Sequence, residues 1–369
     1  MDVSSEIIHG LLPVFLTTTL GASVAMVGLI DGFAEATASI TKLFSGLVSD
    51  RIGKRRPLIL LGYALGALSK PLFAIAGTAP LILGARFADR IGKGIRGAPR
   101  DALIADITPS EIRGRAFGLR QSLDTVGAFA GPLIAIGLMA AFSNDFRRVF
   151  WVAFIPGALA VIVIVIGVRD PEATIVEQGK PAPLSFSALR EFQWPYWRIV
   201  ILGFVFTLAR FSEGFLILKA HAEGLPLGLT PLVLVAMNLV YAIGAYPTGV
   251  LSDRWPARQL LALGMIVLIL ADVVLALSTG LSGVFIGILL WGLHMALTQG
   301  LLSKLVADHA PPQLRGSAFG VFNLICGAAM FIASIIAGLL WDHMGASATF
   351  LAGAGFSLAA LGLVCTTKA

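Results

Sequence analysis

Apolar residues in this chain come in long runs, separated by short polar breaks that carry Pro, Gly and charged side chains. A helix needs about 20 mostly apolar residues to cross the hydrocarbon layer of a bilayer. Twelve such runs can be laid along the sequence, at 2–20, 25–49, 57–76, 79–106, 116–141 and 150–168, then at 198–220, 230–252, 260–278, 283–307, 317–341 and 348–366. The one long polar stretch, 169–197, holds Pro171, Pro181 and Pro183 among mixed charges and reads as a linker. Its end carries Trp194, Tyr196 and Trp197, residues suited to a membrane–water interface. The pattern predicts an all-α membrane protein of twelve transmembrane helices: a six-helix half over 1–168, a cytoplasmic linker over 169–197 and a second six-helix half over 198–369.

Composition agrees, with 57% hydrophobic and only 13% charged residues, too apolar a balance for a water-facing surface. The net charge of +6 does not point to nucleic acid, because the basic residues are scattered among hydrophobic segments. Topology accounts for many of them. Arg51, Lys54, Arg55, Arg56, Arg113, Arg115, Arg254 and Arg258 all fall in loops on one side, so the positive-inside rule places both termini and the linker in the cytoplasm. A multi-pass protein of the cell (inner) membrane is expected. The first run turns apolar almost at once, without a basic n-region or a small-residue cleavage site, and reads as a span rather than a signal peptide. That places Asp2 and Glu6 in or near the membrane. Cys326 and Cys365 sit in apolar runs with no CxxC or Cys/His cluster, which suggests neither a disulfide framework nor a metal site.

The two halves share sequence. GLVSDR at 46–51 recurs as GVLSDR at 249–254, and LIADITPSEIRGRAFG at 103–118 recurs as LVADHAPPQLRGSAFG at 305–320, offsets of 203 and 202 residues. Two matches at nearly one offset mark an internal duplication. Parallel repeats are one way in which transporters are built, with the site near the midplane between them.

The fourth run is the most informative, because Arg86, Asp89, Arg90, Lys93, Arg96, Arg100 and Asp101 lie inside a span. Arg86, Arg90, Lys93 and Arg100 fall on one helical face. Each charge near mid-bilayer costs several kcal/mol unless paired or hydrated, so that face is expected to look into a cavity or at acidic partners. The acids available are Asp31 and Glu35 on the second helix, Asp124 on the fifth, and Asp2 and Glu6 on the first. Such a carboxylate could take up and release a proton if its arginine contact changed between conformations; a permanent salt bridge is the plainer alternative. DRIGK at 89–93 repeats the loop sequence at 50–54, but the duplication aligns it with an apolar span, and it lacks the spacing of a phosphate loop.

In the second half, Arg210 and Glu213 are three apart near the middle of the seventh span and are expected to pair on one face. Glu35 aligns with Asn238 and Gln121 with Asn323, so those positions stay polar in both halves and are candidate cavity residues. His294 and Gln299 on the tenth span are further candidates, although a lone histidine is more often structural. Lys70 and Asp272 occupy equivalent places in spans three and nine, where packing or interface roles are expected.

The loop between the second and third spans, with Gly46, Asp50, Arg51, Gly53, Lys54 and Arg55, meets the pattern G-x-x-x-D-R-x-G-[RK]-[RK] in full, and here the chain resembles the major facilitator superfamily. The second copy, Gly249, Asp253 and Arg254, then departs from the pattern at Trp255 and Pro256. The resemblance implies that these residues, with Arg113 and Arg115, form a gate that latches the halves in one orientation; charges that only set topology are the alternative. Gly127, Gly131 and Pro132 match the G-x-x-x-G-P of proton-coupled antiporters, and the same small residues also allow close helix packing in any membrane bundle. The family's helix-4 arginine falls on Arg86 by spacing from the following loop and on Arg90 by the neighbouring Lys93 and Gly94.

The resemblance implies a secondary active transporter, not an enzyme, that moves a small organic solute through a lipid bilayer by proton-coupled export, without a cofactor or an obligatory oligomer. Net positive charge on the fourth helix makes uptake or exchange of an organic anion the alternative. A channel or receptor fits the paired gate motifs less well. No HExxH or GxSxG is present to support an intramembrane enzyme.

Overall fold

The computed structural model describes residues 1–52, 54–107, 113–169, 192–252, 255–309 and 315–366. Among them the regular structure is helical, with no strand. The helices are α1 (Asp2–His9), α2 (Leu12–Val14), α3 (Val24–Ile52), α4 (Arg56–Ile75), α5 (Ala79–Ile107), α6 (Arg113–Ala141) and α7 (Phe146–Gly167). They continue as α8 (Trp194–Ala209), α9 (Gly214–Ala222), α10 (Leu232–Ser252), α11 (Ala257–Leu277), α12 (Leu281–His309), α13 (Arg315–Met344) and α14 (Ala346–Thr366).

Two of the twelve predicted runs are not single helices. The first divides at Gly10 into α1, α2 and a π-helical turn at Phe15–Thr19. Pro13 has no amide to give the preceding turn, and Gly10 lets Pro231 approach to within 3.0 Å of where a Cβ would stand. The seventh divides between Ala209 and Gly214, so Arg210 and Glu213 do not share a helical face as expected. At the repeat offset of 203 residues, Gly10 corresponds to Glu213, so the duplication preserves the break as well as the helices.

Boundaries move for identifiable reasons. The sixth run begins at Phe146 rather than 150, because the Asp145 carboxylate accepts the amides of Arg147 and Arg148 at 3.0 and 3.2 Å and caps α7. The seventh begins at Trp194, where Pro195 supplies a favoured first turn. Trp194 is exposed, but Tyr196 is buried and its hydroxyl donates to the Ala318 carbonyl at 2.9 Å, tying α8 to α13 instead of lying at an interface.

Among the described residues, ten helical segments are long and apolar enough to cross a membrane. The two runs that fall short are the divided first one and α5, which is too rich in charge.

Helix pairings repeat along the chain. α1 packs on α6 and α7, and α4 on α5 and α7; seven helices later α8 packs on α13 and α14, and α11 on α12 and α14. The chain forms two compact units, one of Met1–His9 with the described part of Phe33–Pro183, the other of Gly10–Gly32 with the described part of Leu184–Ala369.

Candidate functional site: a charged cavity in the first unit

The cavity is built by close helix contacts that glycines permit. On α4 and α5, a Cβ at Gly62 would fall 2.6 Å from the Gly92 carbonyl oxygen, and one at Gly92 would fall 2.7 Å from that of Gly62. The two backbones therefore touch, as small residues allow in membrane bundles. On α6, Gly127 and Gly131 seat α1: a Cβ at either would fall 2.9 Å from Asp2 Cβ or 2.5 Å from Glu6 Cβ. The glycines of the GxxxGP pattern thus serve close packing here, and that packing carries both acids of α1 to the cavity wall.

Around α5 the expected face of basic residues is distributed among several partners. Arg86 is buried, with Nη2 2.8 Å from His9 Nδ1. Arg90 lies 3.3 Å from Glu35 and 3.8 Å from Asp89. Arg96 is 3.9 Å from Asp2, and its guanidinium sits 4.9 Å from the centre of the Tyr63 ring. Arg100 reaches Asp101 at 3.4 Å and Asp124 at 3.7 Å. Pairing at this density offsets the cost of burying so many charges on one helix.

Lys70 packs α4 on α5 as half of a buried ion pair: its ammonium donates to Asp89 Oδ1 at 2.6 Å and to the Ser5 hydroxyl at 3.0 Å, with both charged side chains almost fully buried. Asp89 is accordingly engaged by α4.

Between α1, α3, α5 and α6 lies a cavity of about 260 Å³. Lys42, Lys93, Arg96, Arg100 and Arg120 supply cations to its wall, and Asp2, Glu6 and Asp124 supply acids. Arg120 spans two of the acids in the region, 2.8 Å from Asp124 and 3.2 Å from Asp101. The wall therefore carries five positive groups against three negative ones, an arrangement that can receive an anionic or zwitterionic group of a small molecule.

Arg120, Lys42 and His9 were not legible as site residues from the chain. Arg120 stands four residues before Asp124 and His9 three after Glu6, and those helical spacings are the signals that could have found them.

In the second unit the Asp31 carboxylate accepts the Ser212 hydroxyl at 2.6 Å, at the break before α9. Arg210 lies at the same break, 5.9 Å from the centre of the Phe206 ring. Asn238 is half-buried and Asn323 exposed. His294 does not line the cavity described above. It is fully buried between the rings of Phe206 and Trp291, with centroids 5.9 and 5.6 Å away.

Of the gate motif, Gly46 packs against Ala98, Lys54 is exposed and Arg55 donates to the Ser49 hydroxyl at 2.7 Å. Gly53, Asp253 and Arg254, the side chains of Asp50, Arg51, Arg113, Arg115, Gln121 and Gln299, and the surroundings of Gly249 lie outside the described residues.

The sequence profile of the Major Facilitator Superfamily matches residues 2–334. An uncharacterized MFS-type transporter of Methanocaldococcus jannaschii is 29% identical over 364 residues, covering 95% of this chain and 88% of the relative. The class C tetracycline resistance protein of Escherichia coli is 32% identical over 301 residues, or 76% of this chain and 72% of the relative. In fold, the nucleoside transporter NupG superposes with a TM-score of 0.81 at 14% identity, covering 100% of this chain and 98% of that one. Helix order, repeated pairings and sequence converge, and the chain belongs to the Major Facilitator Superfamily.

Proposed function

We propose that this member of the family exports a small organic solute bearing an anionic or zwitterionic group, in exchange for protons, by alternating access across the cell (inner) membrane. In this reading all twelve runs cross the bilayer, including the divided first one and the charged fourth, and both termini are cytoplasmic. The halves 1–168 and 198–369, joined by the linker 169–197, rock against each other, and no oligomer is required.

The observation that carries the solute class is the cavity wall, with five cations against three acids in about 260 Å³. A wall of that sign favours a ligand that brings negative charge. Similarity to a tetracycline resistance protein supports export. Proton coupling draws support from the acids Glu6, Glu35 and Asp124, each held beside cations whose contact a conformational change can make or break. Asp31, against Ser212, is a further candidate acid.

Purified protein in proteoliposomes tests this reading. A thermal-shift screen of small organic anions and zwitterions identifies a ligand, and counterflow of labelled against unlabelled ligand then distinguishes a carrier from a channel or receptor. With a lumenal pH dye, proton movement with substrate is expected; a silent dye at every imposed gradient, with counterflow intact, would refute antiport.

The excess of positive charge in the same cavity also favours a second reading, uptake or exchange of an organic anion. In that case counterflow persists without any proton signal.

A further inference from the structure

Asp272 on α11 has no exposed surface, and neither of its carboxyl oxygens has a hydrogen-bond partner among the described residues. At the repeat offset of 202 residues it stands where Lys70 stands in the first half, and Trp291 stands where Asp89 does. The buried ion pair of the first half, Lys70 with Asp89 at 2.6 Å, therefore has no counterpart in the second, where a carboxyl and an indole occupy its two positions.

The surroundings leave no room for an organic ligand at the carboxyl. A Cβ at Gly353 of α14 would fall 2.8 Å from Asp272 Oδ2 and 3.0 Å from Phe211 Cε1, so helix backbone and an aromatic ring close over it. Phe211 in turn packs on Trp291 and Phe350, with ring centroids 5.5 Å away in each case.

Acids and bases on the adjoining elements do not bond to it. α12 offers His294, held between Phe206 and Trp291; the connection between α8 and α9 offers Arg210 and Glu213 on either side of Phe211; the buried stretch of α14 carries no acid or base. None of these forms a hydrogen bond or ion pair with Asp272 among the described residues. A buried carboxylate without a partner is strongly disfavoured. The neutral acid carries no charge, and its O–H can turn to a backbone carbonyl of its own helix.

We propose that Asp272 is a proton-binding site of the second half, occupied in this packing and able to release its proton to water when α11, α14 and the Phe211 connection separate. Its use in transport rests on the antiport reading above; its occupancy does not.

The test is infrared spectroscopy of the full-length protein in detergent at neutral pH, grown with carboxyl-¹³C aspartate. The expected result is an isotope-sensitive carbonyl stretch of a protonated acid that is present in the wild type and lost in Asp272→Asn. Absence of that band in the wild type, or its persistence in the variant, overturns the proposal. Asparagine is close in shape to the neutral acid, so Asp272→Asn is expected to fold and to melt within about 3 °C of the wild type. If the variant fails to fold, the wild-type spectrum decides: an isotope-sensitive ionised carboxylate signal with no band of a protonated acid overturns the proposal. A band that behaves as expected alongside a silent lumenal pH dye counts against antiport and leaves the site standing.

Discussion

Lys70 Nζ lies 2.6 Å from Asp89 Oδ1, with only 1% and 3% of the two side chains exposed, and the pair holds α4 against α5. Each charge is tolerable because the other is there. Removing one partner strands the second, which costs about 3–5 kcal/mol at a buried pair, whereas replacing both with apolar residues of similar volume is often close to neutral. Lys70→Met is therefore expected to lower the melting temperature in detergent sharply, and Lys70→Met with Asp89→Leu to recover most of it. A double variant as unstable as the single one would show that the Ser5 and Arg90 contacts, not the pair, dominate here.

Gly131 provides a prediction about packing. A Cβ there would meet Glu6 Cβ at 2.5 Å and the Val3 carbonyl oxygen at 3.1 Å. Part of that contact is backbone, so the side chains cannot relieve it by rotating alone. Gly131→Val is expected to destabilise the protein by about 1–3 kcal/mol, the usual cost of overpacking, and to displace Glu6 from the cavity wall, reducing solute affinity in the same variant. Gly137, with open space around its Cβ position, is the control: Gly137→Ala is expected to leave melting and binding near wild type.

These two sites show what the chain disclosed and what it withheld. The helices and the duplication were legible because apolar runs and repeated segments are local patterns. The charged character of α5 was legible for the same reason. The acids Glu35, Asp2 and Asp124 that meet α5 were legible as a set, but not which cation each one meets. Repeat position gives Lys70 a packing or interface role but names no partner, and the Gly62–Gly92 approach of α4 and α5 brings it to Asp89. The break before α9 was hidden because Arg210 and Glu213 have ordinary helical spacing. The charge excess of the cavity depends on Lys42 and Arg120, which stand on other helices than α5.

Arg120 separates a cavity role from a merely surface one. It contacts Asp124 at 2.8 Å and Asp101 at 3.2 Å beside the cavity, with about a quarter of its side chain exposed (25%). Arg120→Ala removes one of five lining cations and leaves Asp124 with the longer Arg100 contact of 3.7 Å. Affinity for an anionic solute is expected to fall about tenfold or more, equivalent to about 1.4 kcal/mol, as read by thermal shift or counterflow. Arg148 pairs with Asp145 at 3.0 Å but is 69% exposed. Exposed pairs contribute little, so Arg148→Ala is expected to leave both readouts unchanged. Equal losses in the two variants would argue for a general charge effect rather than a site.

Ser212 makes the break in the seventh run testable. Its hydroxyl donates to Asp31 Oδ2 at 2.6 Å and accepts the Gly214 amide at 3.1 Å. One side chain thereby holds the first amide of α9 and provides a partner for a buried carboxylate of α3. Replacing a side chain that holds the first amide of a helix by alanine costs about 0.5–2 kcal/mol, and losing one hydrogen bond to the Asp31 carboxylate costs about 1.5–3 kcal/mol more. Ser212→Ala is expected to melt at a lower temperature and to exchange amide hydrogen faster at Gly214, with amides inside α11 unchanged. Ser212→Thr keeps the hydroxyl and is expected to restore slow exchange. If the alanine variant exchanged at the wild-type rate, the Ser212 hydroxyl would not be what protects the Gly214 amide. The link from the α9 start to Asp31 would then carry no stability of its own.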